Sequence, residues 1–152
     1  LREALKAQRL LAEYDVSADV WSATNYKRLR VETLNAERWN RLHPLETKKT
    51  SYLQDVLANE SGTFVAVSDN MKMVPDQIAK WVPGGLFTLG TDGFGRSDTR
   101  ENLRRFFEVD AACIVIATLY ALAEKGEISY DKVDVAIKVL GVDPDKEAPR
   151  VL

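Results

Sequence analysis

The sequence is poor in the residues that most often build metal sites and nucleophiles: its 152 residues include one cysteine and one histidine. A single cysteine, Cys113, cannot form an internal disulfide, which fits a protein of the reducing cytoplasm. A metal site needs several ligands and a general base needs an orienting partner, but His43 has only Glu46 near it in the sequence. We therefore predict structural roles for Cys113 and His43, and we predict neither a catalytic residue nor a metal site.

Excess charge and long apolar runs are absent as well. The 21 Lys and Arg residues against 23 Asp and Glu residues give a formal charge of −2, whereas binding to a phosphate backbone demands a positive surface. The longest apolar stretch, residues 111–123, is shorter than the ~20 residues that cross a bilayer. We therefore predict no nucleic-acid or membrane partner, and we interpret residues 111–123 as a buried core helix.

The first residues show neither an initiator methionine nor a basic-then-apolar leader, and a helical pattern is already under way at Leu1. Such a beginning is typical of a fragment of a much larger chain. A cytoplasmic location is therefore expected.

Helical and strand patterns alternate along the chain. Apolar residues at helical spacing predict helices, and short apolar runs bounded by turn residues predict strands. Capping residues mark several helix starts, namely Ser51, Asp98 followed by Glu101, and Asp110, and the last helix is predicted to start at Ser129. The predicted helices cover residues 1–14, 26–42, 52–58, 75–82, 99–107, 111–125 and 129–140, and the predicted strands cover residues 16–23, 63–67 and 86–89.

This order predicts a single α/β domain over residues 1–152, with residues 142–152 as a C-terminal tail. Strands that alternate with helices predict a three-layer architecture, in which a mainly parallel sheet is covered by helices on both faces. No internal repeat, low-complexity tract or second domain is visible in the sequence.

Charged residues are dense between positions 92 and 108. Arg96, Arg100 and Arg104 repeat every four residues beside a predicted helix N-terminus, which is a suitable place to hold an anion. We favour a second interpretation, in which these arginines pair with neighbouring carboxylates and fix a loop at an interface, because four carboxylates lie close to these three arginines in the sequence. The carboxylates are Asp92, Asp98, Glu101 and Glu108.

No phosphate-binding loop is recognisable. Residues 93–95 read Gly-Phe-Gly, but the third glycine of the dinucleotide-binding pattern would fall at Asp98. An acidic residue there would repel a pyrophosphate, and we predict no cofactor-binding residue in this chain.

The three tryptophans share neither a segment nor a spacing. Trp21 and Trp81 lie in apolar surroundings and are predicted to pack in the core. Trp39 lies in a charged helix, where an aromatic side chain is the best single candidate for an interface anchor.

Two stretches carry a resemblance to a known family. GTDGFGRSDTRENLRRFFEVDA at 90–112 and ERWNRLHPLET at 37–47 resemble signature segments of the homodimeric bacterial pyruvate dehydrogenase decarboxylating component, and residues 145–152 resemble its C-terminus. The resemblance implies the transketolase C-terminal-like domain of that enzyme. Thiamine diphosphate and Mg²⁺ would be bound by upstream domains, so this segment alone is expected to be inactive.

The resemblance also implies what the domain contacts. It would brace the homodimer and pack against the upstream cofactor-binding domains, while the whole enzyme transfers acetyl groups to a lipoyl acetyltransferase component. We expect the contact to be made by a glycine-rich, charged loop and one tryptophan. The contact residues are Asp92, Phe94, Arg96, Ser97, Arg100 and Trp39.

The family begins this domain with a strand immediately before the helix that starts here at Leu1. We therefore expect the first strand to be missing from this chain and the sheet to be incomplete, with backbone groups left unpaired. Two other functions stay open. One is the C-terminal domain of a transketolase or deoxyxylulose-phosphate synthase, and the other is a free-standing interaction module with this fold.

Overall fold

The computed structural model describes residues 1–149; the last three positions of the predicted tail lie outside the described residues. Seven α-helices and two strands follow one another in these residues, with short 3-10 turns at Ala12–Tyr14 and Ala79–Trp81. The elements are α1 (Arg2–Leu11), α2 (Tyr26–Leu42), α3 (Tyr52–Leu57), β1 (Phe64–Val67), α4 (Met73–Asp76), β2 (Leu86–Leu89), α5 (Arg100–Phe106), α6 (Ala111–Glu124) and α7 (Tyr130–Val139).

Side chains that accept hydrogen bonds from free backbone N–H groups set the starts of four helices. Asn25 accepts from the N–H of Arg28 before α2, and Asp110 accepts from the N–H of Cys113 before α6. Ser51 and Gln54 form a reciprocal capping box at α3. The predicted caps Ser51 and Asp110 are therefore confirmed.

The two strands are parallel and paired in register, from Phe64 opposite Leu86 to Val67 opposite Leu89. Successive residues of a strand point to opposite faces of the sheet, so Val65, Val67 and Leu89 lie in one core and Phe64 and Leu86 in another. A parallel pair needs a crossover, which α4 and the following 3-10 turn supply.

Helices cover both faces of the sheet. The larger core includes residues of α1, α6 and α7, among them Leu119 and Ala136, which are fully buried. The smaller core on the other face joins α3 to the end of the crossover through Leu53, Leu57 and Ile78. Helices on both faces of a parallel sheet confirm the predicted three-layer α/β class.

Helix α6 is the centre of the larger core, as predicted. By length and composition, the run Arg100–Glu124 could span a membrane, but 56% of its most apolar window is buried inside the domain. Cys113 is buried in α6, and burial and then the nearby Asp110 raise the pKa of its thiol to about 12. The thiol is therefore neutral at ordinary pH and unreactive, which agrees with its predicted packing role.

The helix predicted over 75–82 is not continuous in the structure. Its apolar stripe is split between α4, which ends at Asp76, and the 3-10 turn Ala79–Trp81. Pro75 is buried within α4, and a proline inside a helix lacks the N–H of one hydrogen bond and crowds the preceding turn. The apolar spacing is helical, but the backbone cannot hold one continuous helix there.

Among the described residues, no strand pairs with the edge of β1 opposite β2. Both backbone polar groups of a residue in a parallel strand point to the same side, and successive residues alternate between the two sides. The Ser68 N–H bonds to the carbonyl of Leu89 in β2. The N–H and C=O groups of Val65 and Val67 therefore point away from β2. Within residues 1–149, no backbone hydrogen bond from a turn or loop reaches Val65 or Val67. This edge faces a cleft of about 1790 Å³, whose lining includes residues 15–29 and 63–70.

Residues 16–21 line the cleft without forming a strand. Their burial still alternates, with Val16, Ala18 and Val20 half-buried between more exposed neighbours, which is typical of an extended strand. The strand predicted over 16–23 is therefore wrong, since no strand among residues 1–149 pairs with the segment. Trp21 is 56% exposed, which also contradicts its predicted place in the core.

Candidate contact surface

The loop that follows β2 is tied closely to the loop that follows β1. A Cβ atom added at Gly90 would lie 2.6 Å from both the carbonyl oxygen of Asn70 and the nitrogen of Lys72. Asp92 Oδ1 accepts a hydrogen bond from the Lys72 N–H at 3.0 Å, and the Thr91 N–H bonds to the Asn70 carbonyl at 3.0 Å. Glycine at position 90 thus permits the close approach that fixes the start of the loop.

The loop presents an aromatic side chain to solvent. Phe94 is 80% exposed, and Gly93 before it adopts a left-handed φ of 113°, which an L residue with a Cβ rarely adopts. Ser97 and Arg100, further along, are exposed as well. A large apolar ring held in solvent by an anchored loop is suited to contact another surface.

Arg96 contacts the body of the domain at α5. Its guanidinium carbon lies 4.1 Å from the ring centroid of Phe106 in α5, a cation–π contact that is favoured for arginine. The ammonium of Lys146, from the tail, lies 5.5 Å from the same ring and donates a hydrogen bond to the Phe106 carbonyl at 2.7 Å. The loop and the tail therefore meet at one aromatic residue.

Thr99, and not Asp98, is the N-cap of α5. The Thr99 hydroxyl accepts from the backbone N–H of Asn102. Asp98 Oδ1 instead accepts from the side-chain amide of Asn102 at 2.8 Å and from the backbone N–H of Thr99 at 2.6 Å. These two hydrogen bonds, and the positive charge of Arg96, lower the pKa of the Asp98 carboxyl. The predicted cap was misplaced by one residue because both side chains can accept from this helix end.

Arg96, Arg100 and Arg104 do not converge on one place. Arg104 is bound to Glu3 of α1 at 3.1 Å, and Glu3 also accepts the Ala111 N–H. Within the described chain, Arg100 is in no ion pair. The predicted pairing of these arginines with the neighbouring carboxylates is therefore wrong: among the described residues Arg96 is in no ion pair either, and the partner of Arg104 lies 101 residues away.

Trp39 forms a second cluster, at the end of α2. The His43 ring stacks on its ring with the centroids 3.7 Å apart, and Lys49 Nζ lies 3.4 Å from the centroid. Because one face has no room for both groups at these distances, His43 and Lys49 must lie on opposite faces of the indole. The Trp39 indole N–H is buried and finds no acceptor within residues 1–149.

His43 makes structural contacts, as predicted for a histidine with no partner nearby in the sequence. Its Nδ1 lies 3.0 Å from the carbonyl oxygen of Trp39, and since a carbonyl only accepts, Nδ1 carries the hydrogen. The His43 ring thus donates a hydrogen bond to a carbonyl in the last turn of α2. Among residues 1–149, no group of three or more His, Cys, Asp or Glu side chains is placed to hold a metal ion.

The six predicted contact residues fall into two groups. Asp92, Phe94, Arg96, Ser97 and Arg100 belong to one anchored loop, while Trp39 belongs to the His43 cluster. Over the described residues the two groups share no ion pair or ring contact. Sequence reasoning missed Glu3, because its role depends on α1 meeting α5 and α6, and no local pattern signals that contact.

The chain is similar in sequence to several known proteins. The chain is 46% identical over 151 residues to the pyruvate dehydrogenase E1 component of Pseudomonas aeruginosa, covering 98% of this chain and 17% of that protein. It is 44% identical over 153 residues to the one from Escherichia coli, with 99% and 17% covered. For Mycolicibacterium smegmatis the values are 50% over 127 residues, with 83% and 14% covered.

These relatives confirm the resemblance predicted from residues 37–47 and 90–112, and the chain spans about 17% of the length of the first two relatives. Residues 1–110 match the family model described as the transketolase-like TK C-terminal domain. That match includes both strands, the crossover between them and the anchored loop with Phe94. The chain therefore belongs to the family of transketolase-like C-terminal domains.

Proposed function

We propose that residues 1–152 form one domain, of which residues 142–152 are the tail. This domain would support a bacterial, cytoplasmic, homodimeric pyruvate dehydrogenase. The observation that carries this proposal is 44–46% identity over almost the whole chain to proteins named pyruvate dehydrogenase E1 component. The complete enzyme would decarboxylate pyruvate with thiamine diphosphate and Mg²⁺ and would acetylate the lipoyl group of an acetyltransferase component.

We propose that neither that cofactor nor its metal ion is bound by this domain. No set of three metal-ligating side chains is present among residues 1–149, and the carboxylate of Asp92 is engaged with the Lys72 N–H. As the family resemblance implies, both groups would be bound by domains upstream of Leu1, and the role of this domain would be to hold those domains and a second subunit in place.

Activity of the full-length protein tests this proposal. With pyruvate, thiamine diphosphate, Mg²⁺ and a lipoylated acetyltransferase, we expect acetylation of the lipoyl group, and we expect none from the 152-residue chain under the same conditions. Turnover of ketose phosphates in place of pyruvate would support a transketolase or deoxyxylulose-phosphate synthase. An open reading frame that starts immediately before Leu1 would support the free-standing module.

The contacts to the rest of the enzyme are proposed to come from the anchored loop, through Asp92, Phe94, Arg96, Ser97 and Arg100. Trp39 would add a second contact at the end of α2. Support for the loop comes from its fixed start at Gly90 and from the exposure of Phe94. A preformed loop loses little conformational entropy when a partner covers it.

The substitution Phe94→Asp is expected to weaken that contact in the full-length protein. A charge placed under a covering surface loses its hydration without gaining a partner, so we expect the dimer Kd to rise about tenfold or the melting temperature to fall by several degrees. Sedimentation and thermal unfolding measure the two effects. Val139→Asp is the matched control, because Val139 is 71% exposed on α7; equal behaviour of both variants would contradict a role for Phe94.

A further inference from the structure

The segment after α2 is a fixed turn that holds a leucine fully in solvent. The Glu46 N–H bonds to the His43 carbonyl at 3.1 Å, and Pro44 restricts the backbone between them. The side chain of Leu45 is completely exposed, and that of Leu42 is about half exposed. A single exposed leucine is common on protein surfaces, so the inference rests on how this one is held.

Both ends of the turn are tied to the last turns of α2. At one end, the His43 ring stacks on Trp39. At the other end, the Asn40 side chain donates to the Lys49 carbonyl at 2.9 Å and accepts the Lys49 N–H at 2.8 Å, while Lys49 Nζ lies over Trp39. The position of Leu45 is thus fixed before any partner arrives, which lowers the entropy cost of binding.

The segment that contains Leu45 has a net positive charge, although the chain as a whole carries −2: residues 37–49 include four cations against the carboxylates of Glu37 and Glu46. Arg38, Arg41 and Lys48 are exposed, and within residues 1–149 none of the three is in an ion pair. Glu37, the nearest acidic residue on α2, is already engaged by Lys80 and Trp81. An exposed apolar side chain in a segment with a net positive charge is complementary to an apolar pocket with an acidic rim.

We propose that Leu45 inserts into an apolar, acid-rimmed pocket on the part of the full-length protein that lies outside these 152 residues. The length supports this occupant, because the first two relatives are about six times as long as this chain, which spans 17% of each. The inference rests on the proposed function, since it takes the chain to be one domain of a larger enzyme. It adds a contact surface distinct from the loop that carries Phe94.

Thiol labelling of the full-length protein tests the contact. Leu45→Cys and, as the control, Val139→Cys each introduce a thiol at a site exposed in this domain, and the native thiol of Cys113 is buried and neutral. Maleimide modification of each site is followed by mass spectrometry and divided by its rate in urea. We expect the site at 45 to react about tenfold more slowly than the site at 139 or slower still, as covered sites do.

Equal normalised rates would overturn the inference. A second arm repeats the labelling in 1 M NaCl, which screens exposed charges; we expect modification at position 45 to accelerate, and an unchanged slow rate would exclude the acidic rim. Pyruvate decarboxylation is measured on the same preparations. An active enzyme with a freely labelled site at 45 overturns this inference alone, whereas an inactive enzyme with a protected site overturns the proposed activity alone.

Discussion

Replacing Leu119 with alanine is expected to lower the free energy of unfolding by about 2–5 kcal/mol, because the change leaves a cavity in a core that cannot fully close around it. Leu119 is fully buried in α6, and the larger core places α6 against α1, α7 and the sheet. No other element can take over that central position. Urea unfolding of the two polypeptides gives the difference directly.

The same substitution at a half-exposed site is the control. Leu5 lies on α1 and is 41% exposed, so we expect Leu5→Ala to cost less than about 1 kcal/mol, since alanine is also the better helix former. A loss at Leu119 no larger than the loss at Leu5 would contradict the assignment of α6 as the centre of the core.

Extending the chain upstream of Leu1 is expected to give the second large effect. A strand before α1, as the family resemblance implies, would fill the cleft between residues 15–25 and β1 and would pair with the free backbone groups of Val65 and Val67. Burial of two apolar side chains alone would stabilise the domain by about 3 kcal/mol or more. Urea unfolding of the 152-residue chain and of the extended chain measures this gain.

A proline at position 65 distinguishes the stability gained from strand pairing at this edge from the stability gained by lengthening the chain alone. The Val65 N–H points away from β2, so Val65→Pro removes no hydrogen bond of the present sheet but removes a donor to the added strand. We expect the substitution to cost more in the extended chain than in the 152-residue chain, and the difference between the two costs is the pairing energy. Equal stability of the two unsubstituted chains would show that no strand enters the cleft.

Local chemistry made much of the fold predictable. The caps Ser51 and Asp110, the apolar runs of both strands and the continuous apolar helix α6 all depend on neighbours within a few residues. The strand predicted over 16–23 failed for the opposite reason. Its alternation is real, but a strand exists only where another strand offers hydrogen bonds, and no strand among residues 1–149 pairs with this segment.

The contact loop was only partly predictable. Its glycines and charges indicated an ordered turn at 92–100, and Phe94 is exposed as a contact residue must be. The partners of its charges were not readable, because Asp92 bonds to the backbone of Lys72 and Arg104 to Glu3. Ion pairs between distant segments depend on how helices pack, and residue spacing carries no record of that.

The sequence by itself determined the class of the fold, several of the places where helices start, and the family, because caps, periodicity and signature segments depend on consecutive residues. Only the tertiary structure decided which charges are paired, which tryptophan is exposed and where the sheet stops. These features depend on contacts between segments up to about a hundred residues apart, as between Glu3 and Arg104. The free energy of such contacts is set by burial and by partners, which the order of residues along the chain does not reveal.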